Sequence, residues 1–222
     1  MRLDMHTHSS YSPDSRLDPV MIVKRARELS LDGVAITDHN ATEGAKRAID
    51  YARQFRDFVV IRAVEVSTAE GHVLGYGVTE EIPRGLGAKE TVERIVAQGG
   101  VAVAAHPYRF WSGLGERATV EAEFAVYEVL NARTLGRGNR KASRLAVANS
   151  TGRTGGSDGH FIDEIGVAVT VLEERLEKED DILQALYRKR TSVEGKSRGA
   201  RATMRYVPKC VGEWMTRGFR RI

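Results

Sequence analysis

Cysteine is nearly missing: Cys210 is the only one in 222 residues. An internal disulfide is excluded, as is a structural zinc site built on several thiolates, and a reducing cytoplasm is the expected compartment. Asparagine and glutamine are scarce, at four and three, beside 34 basic and 30 acidic residues. That bias is one found in heat-adapted proteins. No run approaches the 18 or so apolar residues of a membrane span, and the N-terminus lacks the basic-then-apolar pattern of a signal peptide. No G-x-G-x-x-G follows the first apolar run, which removes the dinucleotide-binding fingerprint. Linkers, low-complexity stretches and repeats are also missing, so a single domain over residues 1–222 is expected.

What is present is an alternation of short apolar runs and helical patterns. RLDMH, VAITDH, DFVVIRAVEVS, VAVAAHP, FAVYEVLN, IGVAVTVL and TSVEG read as strands, and EGHVLGYGV is positioned to pair with the third. DPVMIVKRARELS reads as a helix with Asp18 as N-cap and Pro19 at its first position. ATEGAKRAIDYARQF (Thr42 as cap), KETVERIVAQ, NRKASRLAVANS and DDILQALYRKR read as further helices. About seven strand–helix units predict an α/β fold with a parallel sheet closed, or nearly closed, into a barrel; an open doubly wound sheet is the alternative.

Charge is uneven. Residues 196–222 hold eight Lys/Arg and one Glu, a local +7, while the preceding 195 carry 26 basic and 29 acidic residues. The basic excess belongs to the C-terminal segment.

The histidines are placed, not scattered. His6, His8, His39, His106 and His160 lie at or just past the ends of apolar runs, with Asp38 and Asp158 beside them. Glu65 ends its own strand and His72 opens the next extended run. Residues i and i+2 of a strand share a face, so His6 and His8 converge on one point. In a β/α barrel the C-terminal strand ends carry the chemistry. A lone strand-end His is ordinarily structural, but that reading has to explain all six histidines separately, together with Glu65 and Asp158. Mixed imidazole and carboxylate ligands favour Zn²⁺, Mn²⁺ or Fe²⁺ over Ca²⁺ or Mg²⁺. The candidates outnumber what one tetrahedral ion uses, so two or three divalent ions sharing a bridging carboxylate are expected.

HTHSS, TDH, the Glu of VEVS, GHVLGYG, AHP and GSDGH, in this order, resemble the polymerase-and-histidinol-phosphatase (PHP) family over residues 1–195. The resemblance implies a distorted, TIM-like (β/α)7 barrel with a di- or trinuclear centre. It also implies phosphoesterase activity of the kind seen in histidinol phosphate phosphatases, nucleotide phosphatases and short-RNA 5′-exonucleases. Position by position, one metal would take His6, His8, Glu65 and Asp158. A second would share Glu65 and add His72 and His106. A third would take Asp14, His39 and His160. Relatives place Ser-Asp-Gly or a His where this chain has Pro13-Asp14-Ser15, so the third site depends on that loop delivering Asp14. Asp38 is expected to orient a neighbouring His.

The expected mechanism follows from metal chemistry. Water between two cations becomes hydroxide near neutral pH and can attack phosphorus in line. Glu65 and Asp158 hold the ions, while Arg109 and Arg133 are the expected phosphate clamps. His160 is a candidate general acid if the third ion is absent. A small phosphorylated substrate is the leading expectation, with a nuclease acting on RNA or DNA second and a non-catalytic metal-bearing module third. The basic segment could grip a polyanion. It reads equally as an amphipathic helix closing the barrel, with Val207, Val211, Trp214, Met215 and Ile222 on one side and Lys209, Arg217 and Arg220 opposite.

Overall fold

The computed structural model describes residues 1–197. The expected C-terminal amphipathic helix therefore lies outside the described residues. In chain order the elements are β1 (Arg2–Thr7), α1 (Pro19–Glu28), β2 (Gly33–Ile36), α2 (Glu43–Ala52), β3 (Val59–Ser67), β4 (His72–Tyr76), α3 (Ala88–Ala97) and β5 (Val101–Ala104). They continue with α4 (Gly115–Glu121), β6 (Val126–Asn131), α5 (Gly136–Ala148), β7 (Gly152–Gly156), β8 (Ala168–Leu172), α6 (Glu179–Tyr187) and β9 (Thr191–Gly195).

The nine strands form one sheet in the order β7-β6-β5-β4-β3-β2-β1-β8-β9. β1–β2–β3 and β5–β6–β7 pair in parallel, whereas β4 and β8 are antiparallel to both neighbours. The sheet is a nearly closed barrel. It closes where the chain leaving β7 meets β1: Asp158 N donates to His6 O at 2.7 Å and His8 N donates to Gly159 O at 2.9 Å. Gly156 makes this meeting possible, since a Cβ there would lie 2.4 Å from the Cβ of His6.

Burial follows from closure. β1 and β2 are buried on both faces, apart from Arg2, as strands are when helices cover a barrel. Leu3, Met5, Ala35, Ile61, Leu74 and Tyr76 fill the interior, and Ile182, Leu183 and Leu186 of α6 pack into the same cluster beside Val101 and Val126, which begin β5 and β6. Helix α6 thus plugs the end of the barrel where the parallel strands start, and the opposite rim is left for the site.

Local rules explain most boundaries. Asp18 caps α1 by accepting from Val20 N at 2.8 Å, with Pro19 in the first turn. Thr42 occupies the N-cap of α2 without a side-chain cap bond. Helix α4 was not expected; at seven residues it is too short to impose a periodic signal. No described helix is long and apolar enough to cross a membrane.

Candidate metal centre

The strand ends deliver their polar residues to one rim. His6 lies inside β1, Glu65 lies inside β3 opposite Leu74, and His72 opens β4 opposite Ser67. His39 follows β2 and is drawn against β3 by a bridge to Glu65. His106 follows β5, and Asp158 and His160 follow β7. Two register shifts fall here, between Asp4 and Thr7 on β1 and between Glu128 and Leu130 on β6. Such irregularities re-aim side chains. His106 (φ 28°) and Asp158 (φ 52°) both occupy the left-handed region, a strain that clusters at functional sites.

Glu65 is the hub. Its Oε1 lies 2.9 Å from His106 Nε2 and 2.9 Å from His72 Nδ1. Its Oε2 lies 3.2 Å from His8 Nε2, 3.3 Å from His6 Nε2 and 3.5 Å from His39 Nδ1. Asp158 faces the same imidazoles: its Oδ1 is 3.5 Å from both His8 Nε2 and His160 Nδ1, and 3.9 Å from His6 Nε2. Asp14, whose reach depended on its loop, has Oδ2 2.8 Å from His160 Nε2 and 3.6 Å from His39 Nε2.

Among the described residues four groups of donor atoms lie close enough to hold an ion: His6, His8 and Asp158; His6, Glu65 and His106; His8, Asp14 and His160; His8, His39 and Glu65. His8 belongs to three of them. His72 belongs to none, although it touches Glu65.

The donor set fits metal ions. His6 Nδ1 donates to Glu128 Oε1 at 2.9 Å, so in the neutral ring Nε2 carries a lone pair. That lone pair faces His8 Nε2 at 3.1 Å and the Glu65 carboxylate. Nδ1 of His39, beside Glu65, is buried without a hydrogen-bond partner among the described residues. Lone pairs converging in a dry place suit a bound cation.

The electrostatics divide the rings: against burial, Glu128, Asp158 and Glu65 raise His6, and Glu65 and Asp14 raise His39. Burial alone would raise the Glu65 carboxyl, but His39, His72 and His6 outweigh it and hold the group well below the usual carboxylate range. Burial likewise opposes ionisation of Asp158, and Arg109, His6 and Arg133 reverse it. Burial and Arg109 push the His106 imidazole down to about 4; burial, Arg133 and His8 push His160 down to about 3. Both rings are therefore neutral at physiological pH and have lone pairs to give.

Arg109 and Arg133 both reach the site. Arg109 Nη1 is 2.7 Å from Asp158 Oδ2, and Arg133 Nη1 is 3.7 Å from Asp158 Oδ1 and hydrogen-bonded to His160 Nδ1. Beside Arg109, Phe110 and Trp111 stack edge-to-face at 4.6 Å and remain 85% and 81% exposed.

Asp38 differs from its expected role. It accepts from Ser9 N and Ser9 Oγ, both at 2.6 Å, and makes no hydrogen bond to an imidazole. Gly44 packs so tightly there that a Cβ would sit 2.0 Å from Asp38 Oδ2. The loop after β1 is what Asp38 fixes. Sequence reasoning also missed Glu128 and Asn131, both buried on β6. The available signal was an acid inside the apolar run VYEVLN.

An α/β barrel gathering histidines and carboxylates at its strand ends defines a class, and the comparisons with known proteins narrow it. A family model described as PHP-associated matches residues 136–191. The uncharacterized protein MJ1587 of Methanocaldococcus jannaschii is 38% identical over 143 residues, which are 60% of this chain and 82% of that protein. A two-domain protein of Bacteroides vulgatus, containing a predicted PHP-like metal-dependent phosphoesterase, is similar in fold with a TM-score of 0.72 at 18% identity, over 88% of this chain and 65% of that one. The lesion-specific endonuclease of Pyrococcus furiosus gives a TM-score of 0.64 at 18% identity, over 84% of this chain and 56% of that one. This chain thus spans less than two thirds of either solved structure. The match to the PHP-associated model over residues 136–191 and the shared fold ally this chain with the PHP family.

Proposed function

We propose that the protein is a metal-dependent phosphoesterase that hydrolyses small phosphate esters, such as nucleotides or histidinol phosphate. The observation that carries this reading is the meeting of the histidine–carboxylate cluster with two guanidinium groups at Asp158. Cations and arginines on one rim make a place for a phosphoryl group, whose oxygens develop charge during displacement.

His6, His8, Glu65, Asp158, His106 and His72 would hold two ions of Mn²⁺, Zn²⁺ or Fe²⁺, with Glu65 shared. Asp14, His39 and His160 would hold a third. Bound ions supply acidified water and charge neutralisation at phosphorus. The chain's own residues do the rest. Glu65 keeps its charge because the surrounding rings outweigh burial. Arg109 and Arg133 bind and orient the phosphoryl oxygens. Phe110 and Trp111, exposed on the loop that carries Arg109, offer a face on which a planar ring of the substrate can stack.

A second reading, cleavage of RNA or DNA, is favoured by the +7 segment over residues 196–222. The similar endonuclease of Pyrococcus furiosus fits it as well.

The test is a turnover panel with added Mn²⁺: histidinol phosphate, nucleoside 5′-monophosphates, 3′,5′-bisphosphates, short 5′-phosphorylated RNA and long RNA, at low and high salt. We expect the small esters to turn over with little salt dependence. Activity confined to long RNA, falling steeply with salt, reverses the ranking. No activity on any phosphate ester, in protein shown to carry metal, refutes both.

A further inference from the structure

We propose that Glu128 is the positioning residue of the centre: one buried carboxylate, held by Asn131, aims His6 and His106 at Glu65 from two different strands. This rests on the metal-binding reading of the cluster. Glu128 lies within β6 and is 1% exposed. Its Oε1 accepts from His6 Nδ1 at 2.9 Å. Its Oε2 accepts from the backbone N of His106 at 2.7 Å. Asn131 Nδ2 donates to both oxygens, at 3.1 and 3.2 Å, and to Asp158 Oδ2 at 3.0 Å.

Each bond has a separate consequence. With His6 Nδ1–H donated to Glu128 Oε1, the ring's other nitrogen, Nε2, is turned towards Glu65 Oε2 and is the one left to bind an ion. The second bond ties down a residue at φ 28°, a backbone state that persists only where its surroundings impose it. His106 Nε2 then lies 2.9 Å from the other oxygen, Glu65 Oε1. Glu128 therefore acts on both sides of Glu65. It is a member of none of the ion-holding groups, and both its oxygens are already occupied by N–H donors. It orients imidazoles and does not ligate. Removing such supporting carboxylates typically costs 10–100-fold in metal affinity.

Glu128→Gln, in the full chain, is the direct test. A glutamine has one acceptor oxygen and cannot serve both His6 Nδ1–H and His106 N–H. Affinity for Zn²⁺, measured by competition with a chelating dye, should fall about 10–100-fold, while the metal-free protein melts within a few degrees of wild type. Nitrogen-15 NMR of histidine-labelled, Zn²⁺-loaded wild type gives a readout that a merely structural role would leave unmoved: His6 should be protonated at Nδ1 and not at Nε2. Unchanged Zn²⁺ affinity in a folded Glu128→Gln protein overturns the proposal. If the variant does not fold, the wild-type spectrum decides, and a His6 proton on Nε2 overturns it. Wild type that binds no Zn²⁺ refutes the metal reading itself, an outcome distinct from either.

Discussion

The centre has a strand-borne side and a loop-borne side, built by different means. Glu65 sits within a β-ladder, and His6 lies within β1 with its carbonyl accepting from Asp158 N and Gly159 N; their side chains are 1% and 0% exposed. Neither can drift without breaking backbone bonds of the sheet. Asp14 and His160 leave from loops and are latched by short hydroxyl side chains. Ser12 Oγ donates to Asp14 Oδ1 at 2.8 Å, and Ser15 Oγ bridges His8 O and His160 O at 2.9 and 3.3 Å. The Asp14 side chain is 13% exposed. His39 spans the two sides, with Nδ1 towards Glu65 and Nε2 towards Asp14. Ladder positions open only with the fold, whereas latched loops open locally at lower cost. The strand side should therefore hold its ion tightly and the loop side should yield first.

Glu65→Gln should give the largest effect. A neutral amide cannot hold two cations together, and we expect activity to fall on the order of 10³-fold or more, as when a preorganised electrostatic group is lost. Melting of the metal-free protein should stay near wild type. Full turnover in this variant would make Glu65 an ordinary strand residue and dissolve the distinction between the two sides.

Asp14→Asn should remove the loop-side ion alone. Elemental analysis should find one ion fewer per chain than in wild type, with turnover reduced about 10–100-fold. Graded chelation of wild type should release ions in the same order. If this variant lost every ion, the two sides would be one cooperative unit.

Arg109→Ala and Arg133→Ala come next, because Asp158 joins the two sides and both guanidinium groups contact it. Each charged hydrogen bond is worth about 1.5–3 kcal/mol. At the low end of that range, loss of either arginine should lower kcat/KM about tenfold, with metal content unchanged. A drop in bound metal instead would make the arginines supports of Asp158 and not phosphate clamps.

The smallest effect is expected outside both sides. Replacing Phe110 and Trp111 together by alanine should raise KM for a nucleoside monophosphate about fivefold, the low end of base stacking. It should leave a ring-free phosphate ester unaffected. An equal change for both esters would assign the pair no part in recognising the substrate.

The sequence alone determined the positions of the candidate residues. Strand periodicity and the clustering of His6, His8, His39, His106, Asp158 and His160 at the ends of apolar runs were readable because both are local patterns. So was the cap of α1. Helix α4 was not, because one short helix adds little periodicity. Nor could the chain show what Asp38 holds, since its partner Ser9 lies 29 residues away. Glu128 is the sharpest case. An acid within a strand ordinarily belongs to the solvent-facing side, but in a barrel clad with helices both faces of the strand are covered. Closure of the sheet brings β7 beside β1, and with it the carboxylate of Glu128 on β6 against His6 Nδ1, 122 residues away along the chain. The candidate residues were written in local patterns; what aims them depends on non-local pairing, which only the closed barrel decides.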